Sequence, residues 1–143
     1  MTNSWRDCIE VEELPELYRV IAEAIGREAM IDLTLHMQKM NLYLKRLPAD
    51  YDPARLSEDY LIAAEAIGLE NVILLAAALP KELNYLKSAD EVFLPAKIRW
   101  IRANFNGANH RRLGLATGLS QRYIYQIFQE RKWQQLGLFA TAV

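Results

Sequence analysis

Gln121, Arg122, Tyr125 and Gln126 share the outer face of one short stretch, Asn109–Phe128 (NHRRLGLATGLSQRYIYQIF). On a helix these residue types can hydrogen-bond base edges and grip phosphate oxygens. Arg122 suits either a guanine edge or a phosphate. Arg111 and Arg112 stand at the start of the preceding helix, where they suit phosphate clamps, with His110 and Lys132 assisting. Ser120 precedes the reading helix as its N-cap, its hydroxyl accepting from an orphan backbone N–H. The expected DNA-binding set is Arg111, Arg112, Ser120, Gln121, Arg122, Tyr125, Gln126 and Lys132.

Positioning them requires two short helices joined by a tight turn at Gly118. Leu113, Ala116, Leu119, Ile124 and Ile127 can point to one shared side, and Gly114 is small where the helices would cross. This pattern is that of a helix-turn-helix. A supporting helix from Pro95 to Asn104 puts Ile98, Ile101 and Phe105 on one face, with Pro95 in its first turn. Asn106–Ala108 makes the next turn and Asn109 caps the helix after it. Tyr123, Trp100 and Trp133 read as packing residues. The expected DNA-binding domain is 91–133, a three-helix unit, followed by an apolar tail, 134–143, that docks on the rest or serves a partner.

Charge separates this region from the rest of the chain. Residues 95–133 hold eight Lys/Arg against Glu130 alone, a net +7, while the remainder carries −8. Such asymmetry points to a polyanion partner for the basic part. Enzyme chemistry has little to stand on. His36 and His110 lack metal-ligand spacing with each other or with Cys8, and no P-loop, dinucleotide fingerprint or nucleophile elbow occurs. No cofactor or metal is expected. The single cysteine, Cys8, forms no intrachain disulfide and fits a reducing cytoplasm. The acidic N-terminus lacks an apolar signal core, and no apolar run reaches the roughly 18–20 residues of a membrane span.

The acidic half is duplicated. Residues 16–45 and 58–87 align without a gap at an offset of 42, with fourteen of thirty positions identical. Each copy reads as a helix pair. In the first, Leu17, Val20, Ile21, Ala24 and Ile25 follow the helical spacing, Gly26 stops the helix, and a second helix runs from about Glu28 to Met40. In the second copy Gly68 takes the same place, and Pro80 ends the second helix near Leu79. Glu23 and Glu65 recur as helix-face charges, without the Glu-x-x-His motifs of a di-metal site. Each copy closes on Tyr-Leu-Lys, readable as a small strand or an extended linker. A proline-containing loop joins the copies, with Ser57 as the next N-cap. The expected fold is all-α: a four-helix bundle from the duplicated pair over 1–90, then the helix-turn-helix unit.

Phe105, Gly107 and Asn109, followed by Leu113, Gly118, Leu119 and Ser120, resemble the DNA-binding end of the Mor/C family of phage Mu-like transcription activators. Ile67-Gly68-Leu69-Glu70 resembles the family's N-terminal helical part, and the first copy resembles that part a second time. The resemblance covers about residues 58–130. It implies a sequence-specific activator that binds double-stranded DNA in the major groove, recruits RNA polymerase and dimerises through its N-terminal helices. The chain departs from the family in lacking the glycine pair of the linking strand: Leu83–Lys87 and Phe93-Leu94-Pro95 stand there. It departs again in carrying two copies of the helix pair, so that a homodimer or an internal pseudo-dimer would complete the bundle. The rival expectation is a protein-interaction module, in which the repeats and the apolar tail bind a partner and the basic end is structural.

Overall fold

The structure, a computed structural model, describes residues 4–135 and the side chains of residues 4–129. The described residues form α1 (Glu16–Ile25), α2 (Arg27–Met37), α3 (Glu58–Ile67), α4 (Leu69–Ala78), α5 (Ala89–Asn104), α6 (His110–Thr117) and α7 (Gln121–Gln135). Two short strands, β1 (Met40–Tyr43) and β2 (Leu83–Leu86), pair antiparallel. The protein is thus mostly helical, with one small ribbon. No single described helix is long and apolar enough to cross a membrane. The chain forms two compact units. One is Glu10–Val92; the other joins the described residues up to Ile9 to those from Phe93 onward.

In the Glu10–Val92 unit the duplication is realised element by element. α1 and α3 begin and end 42 residues apart, and α2 and α4 begin 42 apart. Between the helices of each pair sits a glycine with positive φ, Gly26 at 97° and Gly68 at 82°, each with ψ near 150°. That backbone region is essentially closed to residues with a Cβ, so the sharp turn requires glycine. At Gly68 the chain axis turns through 115°. Buried positions repeat as well: Tyr18 with Tyr60, Ile21 with Ala63, Met30 with Val72, Leu33 with Leu75, and Leu44 with Leu86. Of the apolar residues expected to line α1, Ile21 is buried, whereas Leu17, Val20, Ala24 and Ile25 are half-buried; Tyr18 and Ala22 complete the inner line.

The two copies pack on each other reciprocally. α1 lies against α4, and α3, its counterpart, lies against α2, the counterpart of α4. The Tyr60 hydroxyl donates to the Lys45 carbonyl of the other copy, and the Tyr18 hydroxyl accepts from the Lys87 N–H at 2.8 Å. In the ribbon, Leu42 lies opposite Asn84, its own counterpart, and Asn41↔Tyr85 mirrors Tyr43↔Leu83. The Tyr-Leu-Lys runs therefore straddle the strand ends: Tyr43, Tyr85 and Leu86 are paired, while both lysines fall outside. α2 ends at Met37, short of Met40: Gln38 leaves the helical region (φ −58°, ψ 145°) and Lys39, at φ 64°, turns the chain into β1.

α5 begins six residues before Pro95, in the Glu10–Val92 unit, and runs on into the other unit. Ser88 caps it, its Oγ accepting from the Glu91 N–H at 3.2 Å. Ser88-Ala89-Asp90-Glu91 has the S-x-x-E spacing of a capping signal. Pro95 stands inside the helix at an exposed position rather than in its first turn. The core of the other unit consists of Trp100, Ile101, Leu113, Ile124 and Ile127, bordered by Ile98, Phe105, Leu119 and Tyr123. Trp5 and Cys8 also pack here. They come from a 3-10 turn, Trp5–Cys8, held by a capping box between Ser4 and Asp7. Residues 4–9 thus pack with the basic helices, where the sequence grouped them with the repeats.

Candidate nucleic-acid interface

The turn between α6 and α7 follows from three residues. Gly118 adopts the left-handed conformation (φ 78°, ψ 4°), and its N–H bonds the Gly114 carbonyl at 2.8 Å. A Cβ on Gly114 would stand 3.0 Å from the Leu119 carbonyl oxygen, a tight contact, and 3.5 Å from Ile124 Cδ1, so the glycine eases the crossing. The Ser120 Oγ accepts from the Tyr123 N–H at 3.1 Å, making Ser120 the N-cap of α7 as expected. The shared inner side differs at one place. Ala116 is exposed, and Thr117, four residues after Leu113, is buried instead. Its hydroxyl donates to the Leu113 carbonyl at 2.7 Å, which satisfies the one polar group that burial would strand. Asn109 does not cap α6 through its side chain. Its Oδ1 accepts from the Asn106 N–H and its Nδ2 donates to the Asn104 carbonyl, which ties the preceding loop together.

This framework leaves Gln121, Arg122, Tyr125 and Gln126 exposed together on one stripe of α7. Gln129 is exposed too, and the i, i+4 spacing from Tyr125 extends the stripe by a turn. Arg111 and Arg112 are exposed at the start of α6. The side chains of Arg111, Arg112 and Arg122 make no hydrogen bond or ion pair with other described residues, so their donors face solvent. The two helices are linked across this surface. The Tyr125 hydroxyl lies 3.4 Å from His110 Nδ1, and the two rings stack obliquely at 4.7 Å. His110 thereby positions Tyr125, a role its place in the sequence did not reveal. Lys132, Trp133 and the tail 134–143 fall outside the residues whose side chains are described.

The basic surface is smaller than the net charge implied. Lys97 is 4% exposed; its Nζ donates to the Thr117 carbonyl at 2.6 Å and stands 4.7 Å from the Trp5 ring centroid. It is a structural cation that fastens α5 to the end of α6. Arg99 is half-buried and donates to the Cys8 carbonyl. Trp100 is buried and Tyr123 half-buried in the core, as packing residues. A groove lined by Arg111, Gly114, Leu115, Leu119 and Gln121 runs beside the reading stripe. Leu115 on its wall is 86% exposed, an apolar surface residue that the sequence pattern did not single out. Among the described residues no cluster of His, Cys, Asp and Glu could hold a metal ion. No family model, curated protein or solved structure compared with the chain matches it.

Proposed function

We propose that the chain is a sequence-specific DNA-binding transcription regulator of the Mor/C kind, which works in the cytoplasm, reads the major groove with α7 and recruits RNA polymerase. One observation carries this reading: Gln121, Arg122, Tyr125 and Gln126 form an exposed stripe on a capped helix, next to exposed Arg111 and Arg112. Hydrogen-bonding side chains that face water on one rigid helix suit base edges, and the flanking arginines suit the phosphates on either side of a groove. The Glu10–Val92 unit serves in this reading as a four-helix bundle, an internal pseudo-dimer of the two copies. Retention on random duplex DNA with a steep salt dependence is the expected behaviour. Passage through a DNA column at low salt would remove the proposal.

The second reading, a protein-interaction module, is favoured by Leu61 and Leu74. Each is about half exposed, at positions where the first copy carries Arg19 and Asp32. Under that reading Leu61→Asp/Leu74→Asp abolishes partner capture, and the native chain shows no salt-dependent retention on DNA.

A further inference from the structure

We infer that one chain reads DNA by itself, at a single half-site without two-fold symmetry. The inference rests on the DNA-reading proposal and adds the class of target. A two-fold interface has a signature: residue i of one half meets residue j of the other, and j meets i. That signature lies within this chain. Tyr18 bonds the Lys87 N–H and Tyr60 bonds the Lys45 carbonyl, the same pair of positions exchanged between the copies. The packing of α1 on α4 is likewise matched by that of α3 on α2. In the ribbon, Leu42 faces Asn84, its counterpart 42 residues on, so the local two-fold axis passes through that pair.

The contacts that a lone helix pair would need from a second chain are therefore supplied by the other copy. The copies have also diverged in ways that suit pairing of one copy with the other. His36 Nε2 meets Glu65 Oε2 at 3.1 Å, yet the exchanged positions are Ala78 and Glu23. A chain paired through two second copies would set Asn84 against Asn84 on the axis, in place of the leucine–asparagine pair. On the outer edge of β1 the Tyr43 N–H donates to Asp59 Oδ2 at 2.7 Å, which removes one donor from edge-to-edge pairing.

Among the described residues, one α6–α7 unit accompanies this pair of copies. A dimer of readers requires half-sites about one helical turn apart, roughly 10–10.5 base pairs, related by a dyad. A lone reader selects a short sequence with no dyad.

The test uses the full chain and a random duplex pool. Selected sites are sequenced, and the complex with the enriched duplex is weighed by light scattering after size exclusion. The expected result is one short asymmetric motif and one chain per duplex, with no cooperativity in the binding isotherm. A palindromic motif with two chains per duplex would overturn this inference while leaving the DNA-reading proposal intact. Failure to enrich any sequence, with no retention on DNA, would overturn both.

Discussion

Arg122 and Arg112 both point to solvent, but they sit on different elements and should fail differently. Arg122 lies on the reading stripe, so Arg122→Ala should relax preference at one base position, at a cost of about 1–3 kcal/mol. Competition titrations against single-base variants of the selected site read this directly. Arg112→Ala should weaken all sequences alike and flatten the salt slope by about one unit. Lys97 provides a contrast. By sequence it is another cation in the basic region, but it is buried against Trp5 and the Thr117 carbonyl. Lys97→Met should leave the salt slope unchanged and lower stability by about 1–3 kcal/mol, since the Thr117 carbonyl loses its donor. A shallower slope with full stability would show that Lys97 reaches DNA instead.

At the scale of elements, the α6–α7 turn concentrates the constraints. Gly114→Val should cost about 1–3 kcal/mol, because the added carbons meet the Leu119 carbonyl, a backbone atom that cannot swing aside. Ser120→Ala should cost about 1 kcal/mol through the lost cap. Thermal denaturation of both variants measures these losses. Much of this turn was legible in the sequence because each requirement is local: glycine for positive φ, a hydroxyl for the cap, apolar residues at helical spacing. Thr117 escaped because burying a hydroxyl depends on the Leu113 carbonyl, one turn back, being free to accept. The start of α5 escaped for a different reason. Pro95 reads as a helix start, although the capping signal that opens at Ser88 stands seven residues earlier and a proline at an exposed helical position is tolerated. The packing of Trp5 and Cys8 among the basic helices could not be read locally, since some ninety residues separate these elements in the chain.

For the whole molecule, the duplication was visible as identity at a fixed offset, but its meaning lay in the contacts. Identity alone was compatible with copies that pair between chains. The Tyr18–Lys87 and Tyr60–Lys45 bonds each join one copy to the other. These tyrosines also give the fold a pH signature. Burial, the largest influence on each, holds both phenols above the usual 10.0; at Tyr18 the bond from the Lys87 N–H pulls the other way. The folded chain thus favours the neutral phenols. Their contribution is fully present below about pH 10 and is lost as pH rises through the raised folded-state values. Denaturation midpoints should fall above about pH 10 in the native chain and fall less steeply in Tyr18→Phe/Tyr60→Phe. Equal alkaline slopes would show that these phenols are not the groups that titrate. The reading surface itself is tested most directly by the salt dependence of duplex binding, compared between the native chain and Arg111→Ala/Arg112→Ala. The native chain should bind with affinity falling steeply as salt rises, and the double variant with a slope shallower by about two units. Identical slopes, or no binding by the native chain, would contradict a DNA-reading role for α6 and α7.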